Sequence, residues 1–375
     1  MTSKERVQLT LRRELPDRVP TALWGSYYTL NDDTYFNTLE YLKLGEPVAP
    51  FRKKKPRNSN YYDDRVLDAF DTDVRYIWSG FTDLGGARMD GDRKDAWGVG
   101  WKRSGPHIVS EQPPLGEAEE PEEVADYDWP DPETYIDFDL IEARLDELEE
   151  KYPDRAIGAR AINSYGPFEQ ASVLRGRESF YMDMIAEPEL STAIVEKVTD
   201  IIVRGQQLYL ERIADRIDFF EIPGDDYGGT EDLMISPDHF RSMFKPALER
   251  IVRSVKEIRP DLPVVFHTDG AISKIIPDFI EIGIDVINPL EPLPATDWAA
   301  IKKEYGDQLS FMGGVDLKQA LTGKVEDVER DVIRCIETFS EGGGYILTSA
   351  NHMQADIPPE NIEAMFELTR RYGRY

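Results

Sequence analysis

Short apolar runs alternate with longer stretches of helical spacing along most of the chain. Eight runs have the pattern of buried parallel strands, near residues 19, 74, 157, 218, 264, 286, 310 and 345, and nearly every interval between them has the pattern of an amphipathic helix. Eight strand–helix units in roughly 250 residues plus insertions predict an α/β fold of the (β/α)8 or TIM-barrel type. A doubly wound open sheet is the alternative. It is disfavoured as a dinucleotide-binding fold because no Gly-x-Gly-x-x-Gly follows an early strand.

The alternation is interrupted between residues 85 and 130. The stretches 95–102 and 107–110 have the pattern of a small β insertion, and an acidic run at 115–128 follows them. We interpret that run as a solvated surface segment. The chain is therefore predicted to be a single barrel domain, 1–375, that contains a β-rich, acidic insertion at 85–130.

Composition narrows the classes of function. The formal charge is −28, with 72 acidic against 44 basic residues, and this field disfavours a nucleic-acid partner. No stretch approaches the roughly 20 apolar residues that span a membrane, and no apolar signal core follows Met1, so a cytoplasmic protein without a membrane partner is expected. The single cysteine, Cys335, lies on an apolar helical face and is predicted to be a buried structural thiol. One cysteine excludes an internal disulfide and a thiolate-rich zinc site within one chain.

The most informative stretch is Leu262–Gly270. An apolar strand ends there in His267, Thr268 and Asp269, just before a segment with helical spacing. Ligands bind at the carboxyl ends of the strands in parallel α/β folds, so an imidazole and a carboxylate at this point indicate a functional site. The alternative is structural, with His267 ending the strand and Asp269 capping the following helix.

Other predicted strands also end in polar or aromatic residues. Those residues are Trp24, Tyr27, Asn163, Tyr165, Glu221, Asp225, Asp226, Asn288, Glu291, Asp316, Ser349, Asn351 and His352. From this set the predicted substrate-binding residues are Trp24, Tyr27, Tyr165, Asn163, Asp316 and His352.

Two kinds of chemistry suit the charged members of this group. Glu221, Asp225 or Asp226, His267 and Asp269 are the residue types that bind Zn²⁺ or a similar ion through oxygen and nitrogen, with His267, Glu221 and Asp269 as the predicted ligands. Adjacent carboxylates in a shielded cavity also push their pKa values apart, which suits metal-free acid–base catalysis. Either way, His267, Asp226, Asp225 and Asp269 are the predicted catalytic residues. A solvated turn is the alternative for Asp225 and Asp226.

Several motifs together resemble one known family. They are 6–20, Gly224-Asp-Asp-Tyr-Gly, Ile235-Ser-Pro-Asp-His-Phe, Phe266-His-Thr-Asp-Gly, Asp285-Val-Ile-Asn-Pro, Met312-Gly-Gly-Val-Asp and the stretch from Gly343 to Asn361. The chain is identified on these residues as a member of the uroporphyrinogen decarboxylase superfamily, which includes the corrinoid-dependent methyltransferases. The resemblance implies a (β/α)8 barrel with its site at the carboxyl ends of the strands, and often a homodimer.

The branch within this superfamily is a separate question. True decarboxylases resemble one another in an Arg-Gln-Ala-Gly-Arg motif after the first strand, where this chain reads Trp24-Gly-Ser-Tyr-Tyr28, and Phe81-Thr-Asp-Leu84 is only loosely similar to their second motif. In the methyltransferase branch a His-x-Cys follows strand five. Here His267 matches the histidine and Asp269 stands at the cysteine position.

The resemblance therefore favours methyl transfer between a small methoxylated or methylated substrate and a corrinoid (cobalamin) on a partner protein, assisted by zinc. Decarboxylation of a tetrapyrrole or another carboxylated substrate is the alternative. A third possibility is a non-catalytic ligand-binding barrel.

Overall fold

The computed structural model describes residues 1–25, 27–47, 63–77, 94–104 and 107–375, with backbone alone at 103, 104, 107 and 108. Three sequence features lie outside these residues: the basic stretch at 52–57, the segment 81–84 and the first part of the predicted insertion. Within the described part of the chain, no helix combines the length and the apolar composition that crossing a bilayer requires.

The strands of the described residues form one large sheet and one small sheet. They are β1 (Val74–Ile77), β2 (Gly100–Ser104), β3 (His107–Gln112), β4 (Ala156–Arg160), β5 (Phe219–Glu221), β6 (Val264–His267), β7 (Val286–Asn288), β8 (Ser310–Val315) and β9 (Tyr345–Ser349). The large sheet is parallel throughout, in the order β1-β4-β5-β6-β7-β8-β9, and β2 and β3 form an antiparallel pair. The strands predicted near residues 74, 157, 218, 264, 286, 310 and 345 are thus confirmed.

The predicted first strand is reduced to a single bridge. Thr21 pairs with Leu347 of β9, and the Leu347 amide donates to the Pro20 carbonyl at 2.9 Å. On the other side the Asp73 amide, just before β1, donates to the Thr21 carbonyl at 2.9 Å. Pairing does not extend further because Pro20 has no N–H and Trp24 takes a φ of 68°. This segment therefore hydrogen-bonds to both edges of a sheet whose architecture is TIM-barrel-like.

Helices separate successive strands of the large sheet or flank it. They are α1 (Ser3–Leu11), α2 (Asp32–Tyr41), α3 (Asp64–Ala69), α4 (Pro121–Ala125), α5 (Pro132–Tyr135), α6 (Phe138–Lys151), α7 (Pro167–Arg175), α8 (Arg177–Ala186), α9 (Pro188–Ile213), α10 (Pro237–His239), α11 (Lys245–Ile258), α12 (Ile276–Glu281), α13 (Trp298–Tyr305), α14 (Val325–Phe339) and α15 (Pro359–Tyr372). Short 3-10 turns cover Ala214–Arg216 and Ser273–Ile275, and π-helical turns cover Phe240–Phe244 and Leu317–Leu321.

The apolar faces of these helices build the core against the sheet. Helix α14, for example, buries Val328, Val332, Cys335 and Phe339 on one face. Burial raises the pKa of the Cys335 thiol to about 12, which confirms the prediction of a buried structural cysteine. In the acidic run at 115–128 the side chains of Glu119, Glu122 and Glu123 are exposed, in agreement with the prediction of a solvated surface.

A buried aspartate joins the N-terminal segment to β1. The Asp73 side chain is fully buried and forms ion pairs with Arg6 at 2.6 Å and Arg18 at 2.8 Å, and it accepts the Thr21 amide at 2.8 Å. Helix α1, the Thr21 bridge and the start of β1 therefore share one carboxylate. Removing one member of a buried ion-pair network leaves the others charged and unpaired, which costs more than the net value of the pairs.

Replacement of Asp73 tests this junction. Asp73→Ala is expected to lower the free energy of unfolding by about 3 kcal/mol, because Arg6 and Arg18 lose a buried partner. The measurement is equilibrium unfolding in urea. The matched control is Asp154→Ala, an exposed aspartate whose carboxylate carries none of these contacts. Equal midpoints for the two variants would show that the network is not important for stability.

Candidate active site

His267 is the last residue of β6 and its side chain is buried. Its Nδ1 lies 2.7 Å from Oδ1 of Asn288, the residue directly opposite on β7. An amide oxygen only accepts, so Nδ1 carries the proton and donates, and Nε2 keeps its lone pair. The ring of Tyr27 stacks on the imidazole with 3.5 Å between ring centroids and 21° between planes. The strand register and the stacked phenol together fix the orientation of this imidazole.

Two carboxylates face Nε2 of His267. Oδ1 of Asp226 lies 3.6 Å from it and Oδ2 of Asp269 lies 3.8 Å from it. The amide of Asp269 donates to Oδ1 of Asp226 at 2.9 Å, and the side-chain amide of Asn351 donates to Oδ2 of Asp269 at 2.7 Å. Of the predicted catalytic residues, Asp226, His267 and Asp269 are thus brought together, and Asn351 is an additional residue that orients one of them.

Burial and mutual charge shift the proton affinities of this group. Burial raises the pKa of Asp226 to about 6, the charge of His267 opposes that rise, and the charge of Asp269 adds to it. Burial lowers the pKa of His267, but the hydrogen bond and charge of Asp269 and the charge of Asp226 outweigh burial, so the net shift is upward. The group therefore exchanges protons near neutral pH as a coupled unit.

The same three side chains fit a divalent metal ion. Among the described residues, their ligand atoms form a group that all lie within 4.8 Å of one another. Imidazole nitrogen and carboxylate oxygen are both donor types that bind Zn²⁺, and three protein ligands leave a fourth position for substrate. The Asn288 contact is the kind of outer partner that orients a ligating histidine. In the described structure Oδ1 of Asp269 is buried without a hydrogen-bond partner, as expected of a ligand atom.

His352, predicted to bind substrate, lies on the other side of Tyr27. The centroids of the two rings are 5.5 Å apart. Burial, together with the charges of His267 and Arg160, lowers the pKa of His352 to about 3. His352 is therefore neutral at physiological pH, and among the described residues its buried Nδ1 has no hydrogen-bond partner.

Asp225, predicted to be catalytic, points away from this group. Its oxygens accept the amides of Phe168 at 3.1 Å and Glu169 at 2.8 Å, at the N-terminus of α7, and the phenol of Tyr227 at 2.9 Å. Gly166 allows this approach, because a Cβ there would lie 2.5 Å from Asp225 Oδ2. The carboxylate thus occupies the position of a helix cap supplied from another loop, with its oxygens satisfied by the helix end.

Glu221, predicted to bind metal, lies deeper in the fold. It pairs with Val265, two residues before His267, which is roughly 6.6 Å along a strand. Its carboxylate accepts the phenol of Tyr28, and the Tyr28 and Tyr76 hydroxyl oxygens are 2.6 Å apart. Glu221 is absent from the group of ligand atoms found among the described residues, so the structure does not bring this predicted ligand to the other two. The reason is the strand register, which the sequence does not reveal.

The other predicted substrate-binding residues are dispersed. Trp24 is buried against Tyr35 of α2, with 5.6 Å between ring centroids, and is part of the core. Asp316 accepts the amide of Lys318 at 2.7 Å and caps the π-helical turn after β8. These two side chains have local structural roles.

Tyr165 and Asn163 follow β4. Tyr165 is half-buried, bridges Gly224 through its backbone, and lies 6.4 Å from the ring of Trp101. Asn163 is buried. The structure therefore leaves Tyr165 beside the site loop 224–226. Arg160, the last residue of β4, is a charged residue that the sequence predictions did not include. Its signal in the sequence is an arginine at the end of an apolar strand.

The chain is thus an α/β protein with a parallel, TIM-barrel-like sheet and an acidic, histidine-containing group at the carboxyl ends of its strands. Residues 99–372 match the model of the uroporphyrinogen decarboxylase (URO-D) family, and the chain belongs to that family.

Sequence relatives carry the decarboxylase name at low identity. Uroporphyrinogen decarboxylase 2, chloroplastic, from Oryza sativa subsp. japonica is 26% identical over 191 residues, which cover 49% of this chain and 44% of that protein. Uroporphyrinogen decarboxylase from Chlorobaculum parvum is 21% identical over 236 residues, with 62% and 64% covered. The chain thus spans about half the length of several curated relatives it matches.

One solved structure is similar over the whole chain. It is a methyltransferase from Methanosarcina mazei, with a TM-score of 0.67, 17% sequence identity and 99% coverage of both chains. At this identity the similarity shows a common fold.

The candidate metal group leads to a direct test. We expect the protein reconstituted with Zn²⁺ to retain about one ion per chain after desalting, and His267→Ala to lose it, because one of three ligand atoms is removed. Elemental analysis is the measurement. His239→Ala, which removes a histidine of α10 that contacts Ser236 and is not among the three ligand residues, is the control. Equal zinc contents in the wild type and His267→Ala would refute the site.

The outer partner of His267 gives a second, graded test. Asn288→Ala is expected to weaken zinc binding about 10- to 100-fold, since the imidazole loses the acceptor that fixes its tautomer. Competition with a fluorescent chelator measures the affinity, and Asn37→Ala on the exposed face of α2 is the control. An affinity unchanged from the wild type would mean that Asn288 does not orient the ligand.

Proposed function

We propose that this chain is a methyltransferase with a closed (β/α)8 barrel. In this proposal it moves a methyl group from a small methoxylated or methylated substrate to a corrinoid on a partner protein. The observation that carries the proposal is the group of Asp226, His267 and Asp269 at the carboxyl ends of β5 and β6. The full-length similarity to a protein named as a methyltransferase supports the proposal. The role of a corrinoid is inferred from the superfamily resemblance.

The difficulty of such a reaction is the leaving group, because ethers and amines release a methyl group reluctantly. A divalent metal, when bound, acts as a Lewis acid on the heteroatom and lowers the cost of its negative charge. Asp226, His267 and Asp269 would hold that ion. Asn288 holds the proton of the neutral imidazole on Nδ1, which makes Nε2 of His267 the ligand atom, and the Asn351 side chain holds the Asp269 carboxylate toward the same point.

The surroundings of the group suit an apolar methylated substrate. The Tyr27 ring covers one face of the His267 imidazole, and its hydroxyl donates to the Ser164 carbonyl at 2.9 Å, so the phenol is held in place. His352 presents a second, neutral ring beside it. Aromatic walls exclude water and present flat surfaces on which a methoxylated ring can stack.

Decarboxylation is the second candidate, and one observation favours it. Burial raises the pKa of Asp226 to about 6, so this carboxyl can hold a proton near neutral pH and deliver it to the carbon that loses carbon dioxide. The names of the sequence relatives agree with this alternative. The segment 24–28 lacks the arginines that the resemblance associates with porphyrinogen carboxylates.

A single-turnover assay separates the two candidates. Zinc-loaded protein is mixed anaerobically with free cob(I)alamin and either a methoxylated benzene or a methylated amine. We expect the cob(I)alamin absorbance to be replaced by that of methylcobalamin, and His267→Ala to slow this change about 100-fold or more, because the metal group is broken.

The control variant in this assay is His239→Ala, which should match the wild type. A wild-type protein that methylates no cobalamin, yet releases carbon dioxide from uroporphyrinogen at a rate that falls in Asp226→Asn, would replace the methyltransferase proposal with the decarboxylase. Release of neither product would favour a non-catalytic barrel.

A further inference from the structure

Arg160 occupies an unusual position at the end of β4. It pairs with Glu221 on β5, Glu221 pairs with Val265 on β6, and His267 lies two residues beyond Val265. Paired residues of parallel strands project from the same face of a sheet, as do residues two apart on one strand. The Arg160 side chain therefore leaves the sheet on the face that carries His267 and Asn288, at the same edge.

No carboxylate of the described residues pairs with the Arg160 guanidinium. Among the described residues it has neither an ion pair nor a hydrogen bond, although it is half-buried. Two buried arginines, by contrast, have carboxylate partners: Arg6 pairs with Asp73 at 2.6 Å and Arg144 with Asp64 at 2.7 Å. The nearest carboxylate by register, Glu221, is bound by the phenol of Tyr28.

A half-buried arginine without a partner among the described residues leaves its guanidinium N–H groups available to a ligand. Withdrawing a charge from water is unfavourable, and the cost is recovered when an anion binds in good geometry. The planar guanidinium has parallel N–H groups that match the two oxygens of a carboxylate. The positive charge of Arg160 also contributes to the lowered pKa of His352, so the two side chains interact electrostatically.

We infer that Arg160 binds a carboxylate of the substrate, so that the methyl donor is a carboxylate-bearing compound held with its methylated end at Asp226, His267 and Asp269. The inference rests on the proposed function for the identity of the methylated end. It adds the chemical class of the substrate and a specificity residue. Asp226 and Asp269 make the site acidic, and an anionic substrate needs a cation opposite them to enter.

A pair of ligands that differ only in charge tests this assignment by binding alone. The probes are 4-methoxybenzoate and its neutral analogue 4-methoxybenzamide, titrated calorimetrically into zinc-loaded protein without corrinoid. We expect the wild type to bind the benzoate at least about tenfold more tightly. Arg160→Gln should lose this preference, and Arg160→Lys should retain part of it, since lysine keeps the charge without the planar fork.

Two controls show whether the preference for the benzoate depends on Arg160 alone. Arg155→Gln alters the arginine at the opposite end of β4, which pairs with Asp71 at 2.6 Å, and should keep the full preference. Protein that has not been loaded with zinc should also keep the preference, which excludes direct binding of the carboxylate to zinc as its cause. If Arg160→Gln does not fold, as judged by circular dichroism, the Arg160→Lys variant decides.

The outcomes separate this inference from the proposed function. Equal affinity of the wild type for the two probes, or a preference that survives in Arg160→Gln, overturns the role of Arg160 even if neutral donors methylate cobalamin. A preference that depends on Arg160 supports the role even if no methyl transfer occurs, and the failure then belongs to the proposed function.

Discussion

Two carboxylates and an imidazole lie close together at the carboxyl ends of β5 and β6, and hydrogen bonds from the surrounding residues stabilise this arrangement. Burial raises the pKa of Asp226 and the charge of Asp269 adds to the rise, which reflects the cost of a second negative charge at this place. Asn288, Asn351 and the amide of Asp269 each offset part of it with a directed hydrogen bond. The register of β6 against β7 is what places Asn288 opposite His267.

The neighbouring aspartates 225 and 226 show how a single peptide step divides structural and chemical roles. Asp225 binds the N-terminus of α7, and its own amide donates to the His267 carbonyl at 3.1 Å. It thereby ties α7, the 224–226 loop and β6 together. Asp226, one residue later, faces the imidazole. The hydrogen-bonded cap at Asp225 fixes the loop, and the fixed loop holds the Asp226 carboxylate close to the imidazole.

Much of this arrangement could be predicted from the sequence because strand pattern and strand ends carry it. Seven strands and the group of Asp226, His267 and Asp269 follow from short apolar runs and the polar residues after them. The position of Glu221 below the level of His267 could not be predicted, because it depends on the register between strands, which no local pattern encodes. Asp225 was indistinguishable from Asp226, since both follow the same strand and only the position of α7 separates them. Arg160 was overlooked because its importance lies in the lack of a partner among the described residues, a property of the folded chain.

The buried thiol of Cys335 has a practical consequence. It is the only cysteine of the sequence, it lies wholly inside the fold, and a pKa of about 12 keeps it in the unreactive protonated form. The native protein therefore offers no background to thiol-directed reagents. A cysteine introduced on any exposed loop can carry a single fluorophore or spin label without prior mutagenesis. Movements of the loops at the carboxyl ends of the strands can thus be followed by spectroscopy in an otherwise unaltered chain.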